Sequence, residues 1–381
     1  MGSTGRRPTV SVVVPCYRYG RYVTQTVQSV LRNEHVDIDV LVIDDASPDD
    51  SWSVVEALPR LDPRIRVVRH EQNRGLIATA NEGLQQAEGD YVVLLSADDA
   101  LAPCWLDRGI DLLERTPAAS FALGPVRVFE GDLLPTVRKL RDVKSVVYPG
   151  RDWLAMSCRR GVTNARSPEV IVRNTAQRAA GGYNPNVPYS SDMEMWLRLA
   201  SIGDVVEVSG PWAAFYRVHG QNMSQEPSRH WTGQLQSDST AFDEWRKSAG
   251  ESVPGIDELM ATARRALART ALRWAPQAFL QDTEGFEELC EFALEKDRTW
   301  AAPEVEKLRR FYHRGLTTGL RDSALPLTMK AVRARRSVPQ LRARVTSYLT
   351  PLNHRLGPLP DRLSRVAARA REVAKSKVAG Q

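Results

Sequence analysis

The sequence predicts a doubly wound α/β fold, with helices covering both faces of a largely parallel sheet. Three observations carry this reading. Val10 to Val14 (VSVVV) is an unbroken β-branched run, as expected of a strand buried on both faces. Further apolar runs then alternate with helix-period segments at βαβ spacing. The loops after the strands collect Asp, Asn, Ser and Pro, residues of turns and of the crevice at the carboxyl ends of strands.

The elements follow in order. After PCYRYGR, Tyr22 to Arg32 is predicted helical because Val23, Val27, Val30 and Leu31 share one side. Asp39 to Ile43 (DVLVI) is the second strand and ends at DDASPDD. Ser51 to Leu58 reads as a helix, Ile65 to Arg69 as a short strand, and Leu76 to Ala87 as a helix ending near Gly89. Tyr91 to Leu95 (YVVLL) is a strand that runs into SADD. Beyond residue 100 come a helix over Trp105 to Glu114, a strand or strands over Ala119 to Phe129, a helix over Ser190 to Ile202 and a strand over Asp204 to Val208. Residues 146–188 show no regular period and are assigned to the acceptor side of a site. From about 240 to 330 the chain reads as helical. The expected domains are 1–235, an α-helical extension over 236–330, and a basic tail over 331–381.

The chain has 381 residues, 42% hydrophobic and 26% charged, which are globular values that exclude wholesale disorder. Its net charge of +6 suggests polyanion binding until it is partitioned. Residues 331–381 hold twelve basic and two acidic groups, leaving 40 basic and 44 acidic groups elsewhere. The body is mildly acidic and the tail strongly basic. In that tail Leu359, Leu363, Val366, Ala370 and Val373 form a narrow apolar stripe among arginines and lysines. An anionic membrane surface and a solvated tail are the two readings of such a segment. Nucleic acid is not expected, because aromatic residues are not interleaved with the charges. Cys16, Cys104, Cys158 and Cys290 lie far apart, against a zinc knuckle or a disulfide framework and in line with a reducing cytoplasm. Neither a signal peptide nor a transmembrane run is expected, so the protein is placed in the cytoplasm, soluble or peripheral on the membrane face.

Three polar groups fall at strand ends: Pro15-Cys16-Tyr17, Asp44-Asp45 and Asp98-Asp99. Two acidic pairs beside exposed backbone suit a nucleotide and a hard divalent cation. Acids at these places also cap helices, most plainly Asp49 and Asp50 before Ser51. Neither G-x-G-x-x-G nor a P-loop follows the first strand.

The series VSVVVPCYRYGRYVTQTVQSVL, VLVIDDASPDDS, NRGLIATANEGLQQAEGDYVVLLSADDALAP, SSDMEMWLRLASIGD and YRVHGQNMS resembles family 2 glycosyltransferases of non-processive type, over roughly residues 8 to 225. The resemblance implies a GT-A-type doubly wound mixed sheet flanked by helices, with the C-terminal α-helical extension appended. It implies an inverting, metal-dependent transfer of one sugar from a nucleotide-diphosphate sugar, UDP-linked by preference, to a hydroxyl on a glycan, lipid-linked saccharide or metabolite. Pro15 and Tyr17 would line the base pocket. Asp45 would bond the base or ribose with Asp44 in support, and Arg74 would serve the base or phosphate region. Asp98, Asp99 and His219 would hold Mg2+ or Mn2+ against the diphosphate, with Asp98 and Arg217 also on the donor. Asp192 would be the general base, although an Asp there also suits a helix N-cap. Trp196 and Trp212 are readable as sugar platforms or as core. Ser96 stands where the family's metal motif begins with Asp, and Ser191 where Glu often precedes the base. These departures bring in a second reading, a sugar-nucleotide-binding protein with a degenerate site. A sugar nucleotidyltransferase is a third, disfavoured by the missing glycines after the first strand. The sequence does not indicate an oligomeric state.

Overall fold

The structure is a computed structural model and describes residues 6–136, 143–220, 222, 230–281 and 283–318. The basic tail therefore lies outside the described residues, and its membrane reading with it.

The first half is the expected alternation. Strands β1 (Thr9–Cys16), β2 (Asp37–Asp44), β3 (Ile65–Arg69) and β4 (Tyr91–Leu94) pair in parallel, with β1 between β2 and β4. Val12 faces Val40 on one side and Val93 on the other, so the β-branched run fills the centre of the sheet. Helices α1 (Gly20–Leu31), α2 (Ser51–Ala57) and α3 (Leu76–Gln85) make the connections. Helix α1 buries Val23, Val27 and Val30 in the core cluster that holds Val12 and Val14. A Cβ at Gly83 would overlap Val13, so glycine is what lets α3 lie against β1.

The second half completes a mixed sheet of eight strands. Strands β6 (Ala119–Leu123) and β10 (Asp204–Ser209) pair in parallel, and β8 (Lys144–Tyr148) closes the edge antiparallel to β10. The short strand β9 (Ile171–Arg173) runs antiparallel between β4 and β6 and joins the two halves. The expected strand over Ala119 to Phe129 is two strands in two sheets. Pro125, which has no N–H for a ladder, and Gly124, seated against Ala213 and Trp105, separate β6 from β7 (Val126–Glu130). Strand β7 joins β5 (Ala100–Leu101) and β11 (Ala214–Val218) in a three-stranded sheet, with β11 central.

Helices α4 (Trp105–Glu114), α5 (Gly150–Arg160), α6 (Asn174–Ala180) and α7 (Ser191–Ile202) cover the sheet. The stretch without a sequence period thus contains β8, α5, β9 and α6. Three-residue β9 is too short to show a period of two, and α6 has only two turns.

Helices α8 (Gly233–Ala249), α9 (Ile256–Gln281), α10 (Thr283–Lys296) and α11 (Arg298–Thr318) realise the expected helical extension. By internal packing, Gln236–Ala266 belongs with the α/β unit, and the described residues from Leu267 onward form a second unit with 230–235. Within the α/β unit, Trp245 is fully buried and donates to the Ser201 hydroxyl. Within the second unit, Phe279 meets Phe286 edge to face, and Arg309 pairs with Glu287 and Glu291. Among the described residues no helix is long and apolar enough to cross a membrane. The four cysteines are free; Cys16, Cys158 and Cys290 pack inside, while Cys104 is exposed.

Candidate active site

The polar ends of β1, β2 and β4 lie on one edge of the sheet because the strands are parallel and in register there. Pro15 is still within β1, opposite Ile43, and Tyr17 follows as an exposed ring. Asp44 and Asp45 are both buried at the end of β2. Asp45 ties the β2 end to the NRG turn. Its Oδ1 accepts from the Arg74 backbone N–H at 2.8 Å and contacts His70 Nδ1 at 2.7 Å, while Oδ2 accepts from the Gly75 N–H at 2.8 Å. Each carboxylate oxygen can accept twice, so Oδ2 retains room for another donor. Asp44 accepts from the Ser47 N–H through Oδ2, and its Oδ1 is buried with no hydrogen-bond partner. The Arg74 guanidinium pairs with Glu82 at 2.8 Å, and Glu82 also contacts His70 Nε2. His70, which the motifs did not single out, is thus the link between Asp45 and α3.

The second constellation joins the end of β4 to the end of β11. Asp98 Oδ2 lies 3.0 Å from His219 Nε2 and accepts from the Asn222 amide at 3.1 Å. The His219 ring stacks on Tyr22 at 5.3 Å and meets Tyr19 edge-on at 5.4 Å, which fixes its orientation. Asn222 also donates to the Arg217 carbonyl and accepts from the His219 N–H, closing the turn after β11. The three-residue spacing of His219 and Asn222 was visible in YRVHGQNMS, but only the fold shows that both address Asp98.

Asp99 is differently employed. It is 2% exposed, and its Oδ1 accepts from the Arg217 backbone N–H at 2.8 Å. Burial, with the adjacent Asp98 charge, raises its pKa well above the ordinary carboxylate range. The Arg217 guanidinium is also buried. It lies between the Tyr22 and Phe129 rings, at 4.3 and 4.6 Å from their centroids. Its donors go to the Asp98 and Gly131 carbonyls and to the Gln25 side chain. The structure therefore brings Asp98 and His219 together, and uses Asp99 and Arg217 to hold the segment that carries them.

Asp192 lies in the first turn of α7, where Ser190 occupies the cap position. Its Oδ1 accepts from the Met193 N–H at 2.7 Å. Burial raises the Asp192 pKa, partly offset by that N–H and by the Arg166 charge. Pro15, Ser96 and Ser191 line one cavity, which brings the strand-end loops of β1 and β4 to the start of α7. Trp196 is core, packed against Phe121 and Tyr183, and Trp212 packs on the cluster of Ala100, Ala102 and Phe215.

Glu169 is a further acid that sequence reading missed, because nothing local distinguishes it from a loop glutamate. It is 1% exposed; Oε1 accepts from the Arg166 N–H at 2.6 Å and Oε2 is buried without a partner. Burial pushes its pKa up to about 8, with the Asp192 charge a smaller contribution. The unfolded carboxyl titrates near 4.5, so between these pH values the folded state holds the extra proton. Stability is then full below pH 4.5 and falls as pH rises through 8. Glu169→Gln removes the titration, and its melting temperature should match the parent near pH 5 and exceed it near pH 9. A parallel pH profile for the two proteins would contradict this.

No group of three or more His, Cys, Asp or Glu side chains placed to hold a metal occurs among the described residues. The available donor set is one carboxylate and one imidazole, Asp98 and His219. That fits a hard cation that keeps several waters and takes its other oxygens from substrate phosphates.

Residues 11–171 match the family model described as Glycosyl transferase family 2. The putative teichuronic acid biosynthesis glycosyltransferase TuaG of Bacillus subtilis is 26% identical over 222 residues, covering 58% of this chain and 83% of TuaG. The crystal structure of S. aureus TarS residues 1–349 in complex with UDP-GlcNAc superposes with a TM-score of 0.56 at 15% identity, over 76% of this chain and 81% of that one. The mannosyltransferase PcManGT from Pyrobaculum calidifontis, in complex with GDP-Man and Mn2+, superposes with a TM-score of 0.50 at 17% identity, over 78% and 84%. Residues 11–171 thus form a family 2 glycosyltransferase domain of the GT-A fold, the domain of a transferase that takes its sugar from a nucleotide-sugar donor.

Proposed function

We propose that the enzyme adds one sugar per encounter, with inversion, from a nucleoside-diphosphate sugar to a hydroxyl of a glycan or lipid-linked acceptor. The observation that carries this is the cavity shared by Pro15, Ser96 and Ser191. It joins the base-side loop, the Asp98 loop and the helix start that bears Asp192. Pro15, Tyr17 and Asp45 form the base side, where Asp45 Oδ2 accepts a base N–H or ribose hydroxyl. Asp192 takes the acceptor's proton as its oxygen attacks the anomeric carbon. The nucleoside diphosphate departs from the opposite face, which inverts the centre. Asp98 and His219 would hold Mg2+ or Mn2+, whose contribution is Lewis-acid stabilisation of the departing diphosphate. UDP-GlcNAc bound to the TarS structure supports a uridine donor, and the teichuronic acid role named for TuaG supports a cell-wall polysaccharide acceptor.

Incubation with a panel of nucleotide sugars and Mn2+ should release nucleoside diphosphate slowly even without acceptor. Failure of every donor to be hydrolysed or bound would leave the degenerate-site reading. Asn222→Ala should weaken Mn2+ about 10- to 100-fold, because Asn222 orients the Asp98 carboxylate. Unchanged Mn2+ titration in that variant would remove the Asp98–His219 pair from the metal site.

A further inference from the structure

Helix α8 lies beyond residues 11–171, outside the family model, yet it grips the helix that carries Asp192. The Ser190 hydroxyl donates to Asp238 Oδ1 at 2.9 Å, and the Trp245 indole donates to the Ser201 hydroxyl at 2.9 Å. Helix α8 therefore holds α7 at both ends. Asn184, in the loop before α7, also donates to Glu244 at 3.1 Å. These residues all belong to the α/β unit, and Ser190, Asp238 and Trp245 are buried.

The bond to Asp238 changes how α7 begins. A serine at the cap position ordinarily turns its oxygen to the N–H of the second or third helical residue, here Asp192 or Met193. The Ser190 side chain makes no such capping bond. The Met193 N–H goes instead to Asp192 Oδ1 at 2.7 Å. The cap hydroxyl and the Asp192 carboxylate are thus rival acceptors for one donor, and Asp238 draws the hydroxyl the other way. Burial raises the Asp192 pKa, and the Met193 N–H works against that rise by favouring the ionised carboxylate.

We propose that Asp238 is a positioning residue for sugar transfer: by engaging the Ser190 hydroxyl it reserves the Met193 N–H for Asp192 and so aims the base. The inference rests on the transferase reading, in which Asp192 is the base, and gives the helical extension a part in catalysis. Without Asp238 the Ser190 hydroxyl is released to cap α7 in the ordinary way, and Asp192 loses the bond that orients it. That loss acts on the chemical step and leaves nucleotide binding at the ends of β1 and β2 untouched.

The test follows hydrolysis of the nucleotide sugar that the donor panel identifies, in which water takes the acceptor's place. UDP, GDP and dTDP are titrated in parallel by calorimetry. Asp238→Ala should lower kcat by about 10- to 100-fold, the scale of a misplaced reacting group, with nucleoside-diphosphate affinity within about twofold of the parent. Asp238→Asn keeps an oxygen for the Ser190 hydroxyl and should retain most of the parental kcat. Adding Ser190→Ala to Asp238→Ala removes the rival acceptor and should restore most of the lost rate. Ser190→Ala by itself breaks the same hydrogen bond without releasing a hydroxyl, so its kcat should fall far less than that of Asp238→Ala. A merely structural bond gives equal losses in the two single variants and a double variant no better than either. That pattern, or parental kcat in Asp238→Ala, overturns the inference and leaves the transferase reading intact. Should Asp238→Ala fail to fold, a loss of about tenfold or more in Ser190→Ala overturns the inference by itself, and a smaller one supports it. A parent protein that neither hydrolyses any donor nor binds any nucleoside diphosphate overturns the transferase reading, and the role of Asp238 falls with it.

Discussion

Asp192→Asn should lower the rate of sugar transfer by about 10² to 10⁴ while nucleoside-diphosphate affinity stays within roughly twofold of the parent, the range set by loss of a general base. In the proposed mechanism α7 presents this carboxylate: Ser190 holds the cap position, and Asp192 lies in the first turn next to Ser191, which lines the cavity. Asn is nearly isosteric and keeps an oxygen to accept the Met193 N–H, so the helix start survives. Only the capacity to take a proton is removed. On that proposal the same group should set the acid limb of the pH profile. Its pKa is raised by burial, and the base works only when ionised. Activity is therefore full above the raised pKa and lost as pH falls through it, at a higher pH than an exposed Asp would give. A pH–rate profile of kcat/KM checks the direction, and Asp192→Asn should abolish that limb. A large fall in donor binding by the variant would instead place Asp192 on the donor.

Arg217→Met should destabilise the α/β unit by about 3–5 kcal/mol, the scale for removing one member of a buried, hydrogen-bonded charge set. Methionine restores volume between Tyr22 and Phe129 but leaves the Asp98 and Gly131 carbonyls and the Gln25 amide oxygen without their donors. It also removes the cation beside Asp98 and Asp99. Arg217→Lys keeps the charge but not the planar fork, so an intermediate loss is expected. Chemical denaturation followed by tryptophan fluorescence reads the effect, since Trp105, Trp153, Trp196 and Trp245 are buried in this unit. The sequence reading gave Arg217 a phosphate. A variant of parental stability that has lost nucleoside-diphosphate affinity would support that reading over the positioning role argued from the geometry.

The two cases show why motifs and their employment separate. Strands such as VSVVV and YVVLL are legible because consecutive β-branched and apolar residues state their burial locally. Strand β9 is not legible: its three residues become a strand only because β4 and β6 offer ladders on both sides. Gly124-Pro125 is a legible break, yet that the chain changes sheets there depends on β11 accepting β7 as a neighbour. The acids follow the same division. Asp98 and Asp99 are adjacent in sequence and alike in chemistry, but Asp98 meets His219 and Asn222 while Asp99 is taken by the Arg217 backbone.

By itself the sequence determined the alternating α/β order, the acidic loops at the strand ends, and the family to which those loops belong. These are local properties, written in runs of five to eight residues and in turn chemistry. The tertiary structure decided which acid meets His219 and Asn222, which is buried with its pKa raised, and which arginine is locked between two aromatic rings. Hydrogen-bond partners and desolvation fix those roles, and both come from segments more than a hundred residues away: Arg217 to Asp99 spans 118 positions and Asn222 to Asp98 spans 124.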